Sequence, residues 1–440
     1  MKLLRHVLAV SIPLAGSVAL LASGPASAGG FALNEMSAAT MGTAHAGTAA
    51  AEDLSTIYFN PAGLMLHQGR GFMVVGSALR PSAEFTDAGS TVAGGDGGDA
   101  GSWELVPAMY YAMDLSPNLR FGIGLQTPFG LTTEYDAGWA GRYQALKSDM
   151  LTLNINPSLA YRINDAISVG AGISAQYIDV ELSQAVDFGS VCAANAGAAA
   201  CAGLGLTPRG SDGKATIKGD DWGFGYNLGV MFTPRPDLRV GVAYRSKISH
   251  DLKGDARFDR PAALPAALAA AFADTGARAS VDLPESFSVG GYAELTPRWA
   301  VMGDVTWMRW SRFDELRISF DNPAQPDSVT PENWDNTVRV SAGLSYRYND
   351  AWKLRGGVAY DESPVPDAFR TARIPDADRV WLAFGAQYKP DRNSSWDFGF
   401  AHLFVKDASI NKAEPPLGGT LVGDYDSDVN MLSLQYSRWF

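Results

Sequence analysis

A chain of 440 residues with 47 glycines, 20 Phe, 16 Tyr, 11 Trp and only 19% charged side chains is poorly matched to an ordinary water-soluble enzyme. Its formal charge of −12 argues against nucleic acid as a partner. A mean hydropathy of −0.05, with no long apolar run after residue 21, excludes a bundle of membrane helices and leaves a membrane β-barrel as the natural class.

The first element is an export signal. Lys2, Arg5 and His6 precede an apolar stretch over 7–21, and Ala26-Ser27-Ala28 supplies the small-x-small pattern that a signal peptidase cuts. Residues 1–28 are predicted to be removed, with Gly29 as the mature start; no cysteine follows the cut, so no lipid anchor is expected. Residues 29–69 do not alternate. Met36, Ile57, Tyr58, Phe59, Leu64 and Met65 make them too apolar for a solvated tail, so they are predicted to fold as a plug inside the lumen.

From residue 70 to 440 the chain alternates with period 2, the signal of half-buried strands. In TVRVSAGLSYRY (337–348), Val338, Val340, Ala342, Leu344, Tyr346 and Tyr348 share one face, while Thr337, Arg339, Ser341, Gly343, Ser345 and Arg347 share the other. Segments of this kind fall at about 70–80, 103–113, 118–126, 150–162, 166–183, 220–233, 237–249, 283–295, 298–310, 335–347, 351–361, 378–389, 394–404 and 428–440. Their number is fourteen, even as a single-chain bacterial barrel requires. Their connections alternate long (81–102, 127–149, 184–219) with short (114–117, 163–165), as outer loops alternate with periplasmic turns. The short ones carry turn chemistry such as Asn164-Asp165 and Asn349-Asp350. The chain closes on NMLSLQYSRWF, whose terminal Phe440 suits a last strand read by barrel-assembly machinery. The prediction is all-β: a 14-stranded antiparallel transmembrane barrel in the outer membrane of a Gram-negative bacterium, its outer face against lipid.

Enzyme chemistry finds little support. After residue 28 there are four scattered histidines (His45, His67, His250, His402), and no HExxH, CxxC or GxSxG motif, so no catalytic, metal or cofactor site is expected. Cys192 and Cys201, the only cysteines, are expected to form a local disulfide in an oxidising compartment.

At the level of motifs the chain resembles the FadL-type outer-membrane transporters of long-chain fatty acids and related hydrophobic compounds. The resemblance rests on GFALNE (30–35), FNPAGL (59–64), TPFGLTTEY (127–135), WAGRY (139–143), LPESFSVGGY (283–292), WSRFDEL (310–316) and SPVPDAFRTARIPDADRVWL (363–382), in the family's order. It implies a monomeric barrel that collects a hydrophobic small molecule among apolar outer loops and binds it in the lumen beside the plug. Release is sideways, through a kink in the third strand. The kink maps to Thr127, Pro128, Phe129 and Gly130. Independently, Pro128 cannot donate to a strand ladder and Gly130 is a weak strand former. Phe31, Leu33, Met36, Asn60, Pro61 and Ala62 are the plug residues expected near ligand.

Two departures bear on the ligand. A lumenal lysine of family members would fall near Trp334-Asp335, where this chain has Asp335, and a second base on the fifth strand has no counterpart in QYIDVELSQ (176–184). A neutral aromatic hydrocarbon is therefore the alternative to a fatty acid, with a general aqueous porin behind both. Strand parity turns Arg339, Arg347 and Arg355 inward as candidate cations for a carboxylate head group.

Overall fold

Period-2 alternation produces one closed antiparallel wall. The computed structural model describes residues 29–414 and 417–440, so the predicted export signal lies outside the described residues. The first half of the wall is β1 (Gly71–Asp87), β2 (Glu104–Ser116), β3 (Leu119–Gln126), β4 (Gly130–Glu134), β5 (Lys147–Asn164), β6 (Ile167–Asp187) and β7 (Asp212–Arg235). β8 (Leu238–Arg245), β9 (Ile248–Asp259), β10 (Thr275–Leu283), β11 (Ser286–Glu294) and β12 (Trp299–Met308) follow. An outer hairpin, β13 (Glu315–Phe320) and β14 (Ser328–Pro331), leads to β15 (Thr337–Arg347), β16 (Trp352–Asp361), β17 (Arg379–Tyr388), β18 (Ser394–Val405), β19 (Ala408–Glu414) and β20 (Gly419–Trp439). β20 pairs back with β1 from Gly71↔Trp439 to Asp87↔Gly423 and closes the ring. Taken around the barrel these segments make fourteen strands, several interrupted and several prolonged by outer extensions.

The extensions are where the structure outruns the sequence prediction. β7 begins at Asp212, β9 runs on to Asp259 and β20 begins at Gly419. There the strands stand above the lipid and the outward face turns polar: β9 still alternates, with Leu252, Ala256 and Phe258 buried, but sets Asp251, Lys253, Asp255 and Arg257 outward. Within the membrane the outward face is apolar. Phe224, Tyr226, Leu228, Val230 and Phe232 of β7 are exposed, Phe224 at 75%, while the inward Asn227 and Met231 are buried. So large an apolar belt belongs in lipid. At the short-turn end, outward aromatic pairs Trp299–Tyr346, Trp352–Tyr388 and Trp396–Tyr436 lie 4.4, 4.9 and 4.7 Å apart, an interfacial girdle.

Residues 29–69 fill the ring from inside. They hold two short helices, α1 (Ala38–Met41) and α2 (Thr56–Phe59), and a 3-10 turn, Pro61–Leu66. Ser37 caps α1 by accepting from the Ala39 and Thr40 amides, and its own hydroxyl donates to Asp53 at 2.6 Å. The segment is tied to several strands. Glu52 receives Lys353 at 2.9 Å and Arg355 at 2.7 Å, and Arg355 also holds Asp397 at 2.9 Å. Burial pushes the Glu52 carboxyl up, but Lys353 and Arg355 outweigh it and hold it well below the usual range. The Thr48 amide donates to Asp304, and Asn227 donates to the Ile57 carbonyl. Glycine permits the closest approaches: a Cβ on Gly357 of β16 would stand 2.2 Å from the Thr43 carbonyl carbon.

Candidate functional site: a cavity behind a broken strand

The break between β3 and β4 is one residue in excess. Gln126 pairs with Asn154 and Gly130 with Leu151, so Thr127, Pro128 and Phe129 stand opposite only Thr152 and Leu153 of β5. The wall accommodates that extra residue as a bulge at Pro128, which has no N–H to offer the ladder. Thr152, fully buried, patches the break: its hydroxyl accepts from the Phe129 amide at 3.0 Å and donates to the Phe129 carbonyl at 2.7 Å. From inside, the N-terminal segment completes the repair. The Leu33 amide donates to the Pro128 carbonyl at 2.9 Å, and the Gly130 amide to the Phe31 carbonyl at 3.0 Å.

Beyond the bulge the wall loses a partner. β4 pairs with β5 alone, and residues 104–108 of β2 pair with β1 alone. The resulting window is bounded on one side by the Met109–Leu125 pair and on the other by the Glu134 amide, which donates to the Ala100 carbonyl at 3.0 Å. A cavity of about 530 Å³ lies behind it, within the usual range for small-molecule sites. Leu105, Val106, Thr127, Gly130, Leu131 and Leu151 line its window side, and Phe31, Leu33, Glu35, Asp376, Arg379 and Trp381 its inner side. The Gly30 amide donates to Asp376 at 2.8 Å, which seats the start of the segment. Burial pushes the Asp376 carboxyl up to about 6 against the pull of Arg379, and pushes Glu35 up as well.

An aromatic cage adjoins the cavity. The Phe31 ring lies 4.7 Å from Trp310, 5.4 Å from Trp334, 5.9 Å from Phe313 and 6.1 Å from Phe129, mostly edge-to-face. Leu283, Val365 and Ile374 complete the cluster, with Leu316 packed against it. Leu316 also borders a second recess among the outer loops, of about 470 Å³, with Leu182, Phe258, Phe272, Ile318 and Arg373. The cage thus separates an outer groove from the inner cavity, with Phe31 at its centre. Cys192 and Cys201 are joined in a disulfide within a helical hairpin, α3 (Phe188–Ala196) and α4 (Ala198–Gly203), near that groove.

The residues singled out in the sequence divide sharply. Phe31, Leu33, Thr127 and Gly130 border the cavity, and Pro128 and Phe129 make the break. Four others do not reach the cavity. Met36 is fully buried core with Leu54, Ile57 and Met73. Asn60, Pro61 and Ala62 form an anchor: the Asn60 side chain donates to the Val230 carbonyl at 3.1 Å and caps the turn through the Ala62 amide. Among the arginines, Arg355 is consumed by Glu52 and Asp397, and Arg347 is exposed at the short-turn end. Arg339 is 8% exposed; it enters no ion pair among the described residues, and its Nη1 is buried without a hydrogen-bond partner there. Asp335 is corrected too. It is exposed, and the inward residue at that place is Trp334 of the cage. Sequence reading missed Arg379, which meets Asp361 at 3.4 Å and leaves its Nε without a hydrogen bond among the described residues. It shares parity with the inward Trp381, and that signal could have found it.

This architecture has known relatives. A family profile described as outer membrane protein transport protein (OMPP1/FadL/TodX) matches residues 19–440. The chain belongs to this family. Membership makes it an outer-membrane transporter of the class that carries hydrophobic compounds, rather than an enzyme. A long-chain fatty acid transport protein of Salmonella typhi is 31% identical, covering 91% of this chain and 92% of its own. A putative outer membrane protein of Neisseria meningitidis serogroup B is 33% identical, covering 94% and 95%. Among solved structures, a FadL homologue from Pseudomonas aeruginosa superposes with a TM-score of 0.85 at 24% identity, over 94% of this chain and 100% of that one. The toluene transporter TodX of Pseudomonas putida gives 0.67 at 20% identity, over 88% and 94%. These two superpositions speak to the family's fold.

Proposed function

We propose that this member of the family takes up hydrophobic molecules bearing an acid head group, with long-chain fatty acids as the leading case. Ligand gathers in the outer groove, passes the Phe31 cage, rests in the inner cavity and leaves sideways into the bilayer through the window between β2 and β4. The observation that carries the reading is the composition of the cavity: apolar walls, a route to lipid on one side, and Arg379 on the other with Arg339 close by. Burying an alkyl chain in such walls gains about 25 cal/mol per Å². A buried guanidinium without a full complement of partners favours an anion. Ligand in the cavity competes for the space of Phe31 and Leu33 and so loosens the backbone bonds that mend the break, a population shift driven by differential affinity. The N-terminal segment serves as plug throughout, because its ties at Glu52, Thr48 and Asn60 lie away from the window. Nothing in the reading needs a second copy of the chain.

A second reading has its own support. The cavity lining also carries Glu35, Glu104, Asp149, Asp376 and Asp428, more carboxylates than cations, which suits a neutral hydrocarbon such as toluene. Calorimetry on the purified barrel, stripped of ligand, separates the two. Tight palmitate binding that weakens about tenfold or more in Arg379→Ala and Arg339→Ala supports the acid reading. Toluene binding with palmitate silent favours the neutral one. If neither binds, the aqueous porin returns.

A further inference from the structure

Arg379 and Glu35 border one cavity yet form no ion pair with each other. Glu35 is 2% exposed, and its carboxylate takes the Asn34 amide at 2.8 Å but no cation among the described residues. The groups that face it are Arg379 of β17, Arg339 of β15 and Tyr58 of α2, with Ser77 of β1 donating to its backbone carbonyl; Asp361 of β16 and Asp376 of the β16–β17 loop stand beside Arg379. Burial pushes the Glu35 carboxyl up while the two guanidiniums pull it down, and among the described residues it has no ion pair to break. Glu104 of β2 borders the window, and Asp149 of β5 lines the cavity behind β4, paired with Lys147 at 3.1 Å. Beyond the window lies a hydrocarbon interior that disfavours a free anion.

We infer that Glu35 is the proton donor and replacement counter-ion that releases an acid ligand toward the side window. The inference rests on the reading that the ligand is an acid. The carboxylate arrives charged and rests beside Arg379. The O–H bond of Glu35 breaks, an O–H bond forms on a ligand oxygen, and the Glu35 carboxylate left behind takes the ligand's place beside Arg379. The charge of the cavity is unchanged, and the ligand leaves neutral, past Glu104, into lipid. Glu35 regains its proton from lumenal water before the next passage.

The test pairs palmitate with hexadecanol, a neutral ligand of the same chain length. Binding is measured by calorimetry on the purified protein, and uptake in cells lacking their own transporter and expressing the parent, Glu35→Gln or Glu35→Asp. The expected result is that E35Q binds palmitate as tightly as the parent or more tightly, while its palmitate uptake falls about tenfold or more. Hexadecanol uptake stays at the parental rate, and E35D recovers most of the palmitate uptake. Parental palmitate uptake by E35Q overturns the inference, and so does equal loss of both ligands, which marks a structural role only. If the parent binds hexadecanol as well as palmitate and R379A changes neither, the acid reading itself has failed and the inference falls with it. An intact palmitate preference with an unaffected E35Q removes the proton step alone.

Discussion

The wall from β15 to β18 and the wall from β2 to β5 hold the same N-terminal segment by different means. On the first side Glu52 reaches two cations, Lys353 and Arg355, and Arg355 is held in turn by Asp397. Arg355 has no exposed side-chain surface, so separating the pair strands a buried charge. On the second side Tyr110, Arg120 and Arg162 hold the carbonyls of Met36, Gly69 and Met65 away from the window, but at the window itself residues 31–33 are seated only by two backbone hydrogen bonds at the bulge and by the apolar body of Phe31 and Leu33. Neutral contacts of that kind are individually modest and can be exchanged for a ligand's own apolar surface. The difference teaches where movement belongs. A segment fixed by charge on one wall and seated by apolar contact on the other yields at the second.

The largest effect is expected where the apolar seat loses its centre. Phe31→Ala empties the cage and should weaken the seat of residues 30–33 by about 4 kcal/mol. Hydrogen exchange should then quicken at the Leu33 and Gly130 amides and leave residues 48–60 protected. Faster exchange at 48–60 would break the comparison, since it would make the two seats one unit. Glu52→Gln attacks the other side, leaving Arg355 with Asp397 alone and Lys353 without its partner. About 3 kcal/mol should be lost from the anchored part, seen as faster exchange at Thr48–Asn60 while the barrel's resistance to heat in detergent is unchanged. Exchange that stays slow there would show the ionic tie to be dispensable.

The smallest effect concerns pH. Asp376 accepts the Gly30 amide, and burial raises its carboxyl to about 6, above the unfolded value, with Arg379 pulling the other way. Its contribution to the seat is therefore present in full at low pH and is lost as pH rises through about 6. Exchange at Leu33 should slow as pH falls from about 7 to 5, after correction for the intrinsic rate. Asp376→Asn should flatten that dependence. A seat that weakens on acidification contradicts the assignment.

Much of this was legible in the sequence, for a physical reason. Lipid on one side and a lumen on the other impose alternation, so TVRVSAGLSYRY could only be a wall strand, and Pro128 with Gly130 marked the place where the ladder fails. What resisted reading was anything decided by contacts distant in sequence. Arg339 and Arg355 share a strand-parity argument, yet only Arg355 meets Glu52, a residue about three hundred positions away. The segment read from the sequence as 335–347 gave Asp335 the inward parity of Arg339, but β15 begins only at Thr337, so Asp335 lies outside the strand and exposed, and its neighbour Trp334 took the inward position. Asn60-Pro61-Ala62 read as a ligand motif because it is distinctive. Its chemistry, a cap plus a side-chain bond to Val230, is that of an anchor.

The central claim is that ligand leaves through the window made by one surplus residue. Deleting Pro128 alone removes the surplus: Thr127 and Phe129 then stand opposite Leu153 and Thr152, and β3 can run unbroken into β4. Uptake of palmitate, measured in cells with the variant folded and present at the parental level, should fall about tenfold or more, with binding to the purified protein retained. Uptake at the parental rate through a straightened strand would contradict the account.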